Sequence, residues 1–503
     1  MRRLGRILLF GLWGPGLLSA QEKAASPPTL QHGAPVSGLA FSPSGDVLAS
    51  AGGDTIHLWK KDQAKPWQTW RTPGSPLSVI AFSADGAYLA SGHQDRKVRL
   101  WHVARGEEKW AQEAQRSGIG TLAFAPDGLS LVTGGADSRV HQWDVATGKM
   151  LRVFQRGSEF WLGTAAFSPD GRQLFAGGYD GATKLFDVVT GREIRAFGGA
   201  MFSAMALSAS AKTLAVSTTG EGRPFRAGGR QAIRLYEVRT GQVRKELGQH
   251  GPADFLVVFS PDGRSVAGRA RDEGVIHLWD IASGQLLASF AGGGGGTFAF
   301  SADGLRLAQA RADNIVLQDL RPALAKRPGG RALSDAERDK LWDALSQTDA
   351  QAAFAAVLAL AGDAEPSVAF LRKRIRPAHL PPDKRKQATE LIRQLHASSF
   401  SMREKAQADL AALGDAIAPL LSAALKDPDL PLEARRRVER LLTRLAPAAL
   451  TPSRLQALRG MEALHWIATP SARSQLEDLA DGLPEHWITE EAQLLRRTLP
   501  RRP

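Results

Sequence analysis

FSPDG occupies positions 167–171 and again 259–263, and close copies stand at 41–45 (FSPSG), 82–86 (FSADG), 124–128 (FAPDG) and 300–304 (FSADG). A degenerate seventh copy, LSASAK, begins at Leu207. Successive copies start 41, 42, 43, 40, 52 and 41 residues apart. A second phrase follows each one: IHLW ending at Trp59, VRLW at Trp101, VHQWD with Trp143, TKLFD with Phe186, IRLYE with Tyr236, IHLWD with Trp279 and IVLQD with Gln318. Five of these run into a turn closed by Gly106, Gly148, Gly191, Gly241 or Gly284. A fixed period of this size marks a repeat architecture, in which each unit buries its faces only against its neighbours.

One unit reads as a four-stranded meander. An apolar strand such as Leu39 to Phe41 stops at a Pro/Asp-Gly turn. A strand of small residues follows, then a tight turn, an aromatic-ended strand and a fourth strand. Sheets of this kind set around an axis make a propeller. On the quoted phrases, and on the Trp-Asp pairs at Trp143 and Trp279, the chain resembles a WD40-repeat protein over residues 27–322. The resemblance implies seven blades. It also implies a structural aspartate in the turn before each third strand, matched in spacing by Asp54, Asp95, Asp137, Asp180, Asp272 and Asp313. The family's histidine partner for that aspartate is matched only near His32 and His250. The seventh copy leaves the repeat after three strands, so residues about 27–32 are expected to supply its fourth and protect an open edge.

The 503 residues include no cysteine, which removes disulfide scaffolds, thiol nucleophiles and cysteine metal sites. Residues 1–20 read as a signal peptide: Arg2, Arg3 and Arg6, then an apolar run from Ile7 to Leu18, then Ser19 and Ala20. That run is too short to span a bilayer. The expected location is exported, periplasmic or secreted, in a bacterium, with no transmembrane segment after signal cleavage.

Beyond Pro322, Ala, Leu, Arg and Glu replace Gly, Ser and aromatic residues. Residues 323–333 read as a linker, with Arg327 to Gly330 hinge-like, so few contacts are expected to cross it. Residues 334–499 read as an all-α domain, opened by a capping box at Ser334 and Glu337. The stretch from Arg403 to Pro428 resembles a HEAT repeat, and the helix pairs extend that reading to a HEAT-like array. The fold class is therefore a seven-bladed β-propeller followed by a helical-repeat domain.

The net charge of +13 is diffuse. Residues 326–503 hold 28 Lys+Arg against 23 Asp+Glu, and the rest holds 36 against 28. Basic runs at Arg372–Arg376, Lys384–Lys386 and Arg435–Arg440 read as solvated helix faces or as contacts to an anionic polymer. Nucleic acid is the weakest of the anionic candidates for an exported chain. His57, His141 and His277 share one repeat position, which reads as structural. No catalytic, metal or cofactor set emerges, and the chain is read as a non-enzymatic scaffold for a protein or peptide partner. Its candidate binding residues are those that break the repeat: Phe160 and Trp161 entering the fourth copy, and Arg223, Phe225, Arg226 and Arg230 in the insertion of the fifth. Phe160 and Trp161 also fit a plug between blades. Two other readings stay open: a propeller hydrolase or oxidoreductase with an axial pocket, and a binder of anionic cell-wall polymer through the basic helices.

Overall fold

A computed structural model describes residues 27–116, 118–155, 162–178, 182–198, 204–218, 232–248, 253–270, 274–292, 296–445 and 450–499. Seven four-stranded antiparallel sheets follow one another along the chain. The first blade runs Val36–Phe41, Val47–Gly52, Thr55–Lys60 and Gln68–Arg71. Five further blades repeat this order of consecutive strands. The seventh takes Phe298–Phe300, Arg306–Arg311 and Asn314–Asp319, and its outer strand is Thr29–Gln31 from the start of the described chain. The pairs Thr29↔Val316, Leu30↔Ile315 and Gln31↔Asn314 close the ring as expected. Leu30 is buried with Val36, Trp59 and Ile315, so closure is apolar as well as hydrogen-bonded.

The recurring FSPDG phrase is a turn device. In the fourth blade the Gln173 amide donates to the Ser168 hydroxyl at 3.0 Å, and the Arg172 amide donates to Asp170 at 3.0 Å. Gly171 takes φ +71°, a conformation costly for a residue with a side chain. The degenerate fifth copy keeps the turn with Ala211 at φ +54°. Its serine hub survives as well, since Thr213 donates to Ser208 at 3.1 Å.

The chain leaves the last blade through a short helix, Arg321–Leu324, and continues through ten more α-helices. The capping box at Ser334 forms as read, and Thr451 and Thr469 cap their helices. The last helix starts at Trp487, where the His486 ring accepts the Ile488 amide as a cap. The helices are not a single-file stack. Those of 335–374 and 452–497 share one apolar cluster, while residues 380–445 close a second cluster largely of their own.

The expected hinge is corrected. Arg327 donates to Asp262 at 3.1 Å and to Ser265 at 2.7 Å, pinning the connection under the sixth blade. A Cβ on Gly330 would stand 1.9 Å from the Gly362 carbonyl oxygen, so only glycine admits this crossing. One apolar cluster runs from Ile233, Leu235 and Trp279 of the propeller into Phe354, Val357 and Leu464 of the helices. Charges cross the same boundary. Arg459 and Glu462 lie one turn apart on helix Pro452–Ile467 and face the fifth blade. Arg459 holds Glu237 in two bonds of 2.8 and 2.7 Å and gives both hydrogens of Nη1 to the carbonyls of Leu345 and Gln347. Glu462 accepts Arg244 at 2.8 and 3.0 Å, and that guanidinium sits 4.1 Å over the Phe354 ring. Glu491 takes Lys212 at 2.6 Å and Arg239 at 2.8 Å.

Burial by itself would raise the Glu237 carboxyl, but Arg459 and Arg244 hold it below its ordinary value. Breaking such a pair leaves an uncompensated buried charge. Arg459→Ala is therefore expected to cost about 3–5 kcal/mol in urea unfolding, and the double variant Glu237→Gln with Arg459→Met should recover part of it. A loss under about 1 kcal/mol for the single variant would show that the pair is solvated.

Candidate interaction site

Antiparallel topology gives each blade two rims. Turns between first and second strands and between third and fourth strands leave from one; turns between second and third strands, and connections between blades, leave from the other. Asp54, Asp95, Asp137 and Asp313 all lie on the second rim, in the turn before their third strand. Asp95 accepts the Lys97 amide at 3.0 Å and pairs with Arg99 at 2.8 Å. Burial pushes its carboxyl upward, but these bonds win and bring it down to about 2. Asp137 accepts the Arg139 amide at 3.2 Å, and Asp54 accepts the Thr55 hydroxyl at 3.1 Å. The Asp313 carbonyl receives the amides of His32 and Gly33, tying the ring closure to the same rim. Asp180 and Asp272 lie outside the described residues.

Phe160, Trp161, Arg223, Phe225, Arg226 and Arg230 also lie outside the described residues. Their anchors do not. Leu162 is buried at the start of the fourth blade. Thr218 and Ala232, which bracket the insertion, face each other as a strand pair. The insertion thus leaves and re-enters the sheet at one point of the second rim.

Beneath this rim, the first three blades carry a buried polar hub. Trp59 donates to Ser50 at 2.8 Å, with His32 2.9 Å from the same hydroxyl. Trp101 donates to Ser91, with His93 on its other side, both at 2.8 Å. Trp143 donates to Thr133 at 3.0 Å, and Gln115 reaches it at 3.2 Å. His93 and Gln115 do the work that sequence spacing gave to a missing histidine. Alignment of the strands puts Ala176, Val216 and Gly268 in the hydroxyl position of the next three blades. The repeated histidines bond across strands: His57 to Thr69 and His277 to Ser289, each at 2.8 Å.

The first rim of blades four to six is where the helices sit. Every interdomain polar bond described above leaves from it, through Lys212, Glu237, Arg239, Arg244, Asp262 or Ser265. A cleft of about 880 Å³ remains between blades five and six and helix Ala350–Gly362, lined by Arg244, Arg264, Arg327, Asp280, Phe354 and Trp466. Its charges largely answer one another, as Arg327 does Asp280 at 3.5 Å. The basic runs of the helices are likewise partly consumed. Arg374 stacks 3.6 Å from the Phe370 centroid and pairs with Asp339. Arg437 is buried between Glu404 and Glu433, and Arg435 donates to the carbonyls of Leu425 and Asp427. Among the described residues no group of three or more His, Asp or Glu side chains could hold a metal ion. No single described helix is long and apolar enough to cross a membrane.

Four segments, 27–60, 64–102, 107–144 and 148–187, match the family described as "WD domain, G-beta repeat". These are WD40 repeats. They cover the three blades with a polar hub and most of the fourth, which has Ala176 in place of the hydroxyl. The chain is also similar, over short stretches, to several eukaryotic proteins. It is 38% identical over 74 residues to U3 small nucleolar RNA-associated protein 18 of Saccharomyces cerevisiae, covering 14% of this chain and 12% of that one. It is 41% identical over 69 residues to a coronin-like protein of the same yeast, covering 14% and 10%. Transducin beta-like protein 2 of Homo sapiens is 36% identical over 78 residues, covering 15% and 17%. The chain thus spans under a fifth of each of these relatives. They lend no support to a bacterial origin.

The hubs make the fold sensitive to acid. Burial lowers His32 to about 4, with His57 adding to it, and burial lowers His93 to about 4, with Arg99 beside it. Burial takes His465 in the helical region to about 4 as well. In the unfolded chain these rings titrate near 6.5. Between the two values the unfolded chain binds more protons, so the stability they carry is full above about pH 6.5 and is lost as pH falls towards about 4. The melting temperature should drop steeply across that window in calorimetry, and His93→Gln should flatten the slope. A melting temperature constant from pH 7 to 4.5 would contradict these neutral buried rings.

Proposed function

We propose that this WD40 protein is a non-enzymatic scaffold that binds a protein or peptide partner on the second rim, through the loops that break the repeat. The observation that carries the reading is the asymmetry of the ring. The helices pack on the first rim of blades four to six, whereas Thr218, Ala232 and the buried Leu162, the described residues that flank the repeat-breaking segments, stand on the opposite side. Aromatic and arginine residues are the types that anchor interfaces, and here they stand where the repeat carries small ones. Similarity to the yeast and human WD40 proteins supports a protein-binding role in general, and the partner of this chain is its own. The internal pairing of Arg374, Arg435 and Arg437 weighs against an anionic polymer as the ligand of the basic helices. Residues 1–20 support an exported location, and N-terminal sequencing of the exported protein should read Gln21 first.

Replacing Trp161, Phe225 and Arg226 together by Ala should weaken partner capture by more than about 2 kcal/mol and leave the melting temperature nearly unchanged. Crosslinking in the native compartment with mass spectrometry supplies the partner for that measurement. If Trp161→Ala alone lowers stability by several kcal/mol, the residue is a plug between blades. If the triple variant captures the partner normally, the second rim is not the interface.

A further inference from the structure

Four blade junctions share one device, and the seam where the ring closes lacks it. In four blades the residue two positions before a fixed register point of the fourth strand reaches the next blade; in the first and sixth blades that position holds Gln68 and Ala288. Trp110 stands two before Gln112, Arg152 two before Phe154, Arg195 two before Phe197 and Lys245 two before Leu247. Trp110 donates to the Val145 carbonyl at 3.0 Å, Arg152 to Val188 at 3.0 Å, Arg195 to Arg239 at 2.9 Å and Lys245 to Ala282 at 2.6 Å. Each stem lies over the turn glycine of the following blade, where a Cβ would come within 3.3 Å of it. The chain therefore uses one recognition chemistry repeatedly: a long stem along an apolar junction, with a donor head on a turn carbonyl.

At the seam the matching register point is Leu30, opposite Ile315, and two positions before it stands Pro28. Proline has neither reach nor N–H. The turn it would meet is also different, a longer loop after Lys60 in place of the glycine turn. The result is a cleft of about 360 Å³ between the seventh and first blades. Phe41, Leu48, Trp59 and Leu317 line it, and Asp46, Asp62 and Asp303 stand at its rim. Two of its three rim cations are engaged: Lys60 lies 4.3 Å over Trp67, and Arg306 pairs with Asp62 at 3.4 Å. Among the described residues nothing donates to the carbonyls of Lys61 or Asp62.

We propose that this seam cleft receives an arginine or lysine side chain presented by a peptide segment of a protein partner, in the place that Arg152, Arg195 and Lys245 fill at three other junctions. The stem packs on Phe41 and Leu317, and the cationic head meets the turn carbonyls and Asp46, the rim aspartate whose carboxylate is not engaged by Arg306 or Ser301. The proposal deepens the protein-binding reading, but it uses a site on the first rim, away from Trp161 and the 218–232 insertion. The two therefore fail separately.

The test uses the full chain and Gly/Ser nonapeptides carrying one central Arg, Lys, Leu or Glu, titrated by saturation-transfer NMR. The Arg and Lys peptides should bind about tenfold or more tightly than the Leu and Glu peptides. Pro28→Arg installs an internal clasp, and it should cut Arg-peptide affinity by about tenfold or more while raising the melting temperature. Asp46→Lys, at an exposed position, should weaken the Arg peptide several-fold without changing the melting temperature. The variant with Trp161, Phe225 and Arg226 replaced should bind the peptides as the parent does. Equal binding of the Leu peptide would overturn the proposal in favour of a plain apolar pocket. Full binding by both Pro28→Arg and Asp46→Lys would place the peptide elsewhere. Absence of binding by any peptide would show the cleft closed to partners, as chain upstream of Pro27 filling it would make it.

Discussion

A sheet with two apolar faces has to be covered on both, and in a ring that requirement has to be met at the join as well. The strand Thr29–Gln31 meets it here. It gives the last blade its fourth strand, places Leu30 against Trp59, and leads into His32, whose ring enters the hub of the first blade while its amide bonds Asp313. Backbone pairing, apolar cover and a buried polar contact are thus concentrated in four consecutive residues. The same economy leaves the seam without the clasp found at four other junctions, because a strand that opens after two prolines cannot also supply the long side chain that holds the next blade.

The second organising feature is ionic. Glu237, Arg244, Arg459, Glu462 and Glu491 are all buried. Taking such charges from water costs several kcal/mol per ion, and their mutual attraction offsets this only where geometry is good and the remaining donors are used. Arg459 satisfies both conditions with a two-bond grip on Glu237 and two carbonyls beside it. A purely apolar boundary between helices and blades would tolerate sliding. Fixed forks of donors facing carboxylates define one orientation.

Much of the fold was legible because repeats advertise themselves. The turn phrase, the aromatic-ended strand and the glycine turn recur at a period that only neighbour packing explains, and the missing fourth strand of the last blade pointed to residues 27–32. The helix starts at Ser334, Thr451 and Thr469 were legible because capping is local chemistry. What escaped was non-local. Glu237 stands where other blades carry Asp144, Asp187 or Asp280, and looks like a conservative change until its extra reach is seen to meet Arg459. Arg459 and Glu462 sit among Leu455, Leu458, Met461 and Leu464, and charges one turn apart inside an apolar face were the one available signal of a buried partner. The hinge reading failed for the same reason: Arg327 to Gly330 has a linker's composition, and only the fold supplies Asp262 and Gly362. The candidate loop residues were singled out by contrast with the repeat, and the structure bears on them only through their anchors.

The wiring of the fifth blade has a consequence for biogenesis. Glu237 waits for an arginine 222 positions downstream, and Arg239 for a glutamate 252 positions downstream. The opening strand, in turn, has no partner until residues 314–316 exist. A ribosome releasing this chain from its amino end therefore delivers the first three blades, with their own hubs, long before the ring can shut or the fifth blade can neutralise its charges. Closure of the ring and neutralisation of the fifth blade are therefore both pushed to the end of synthesis.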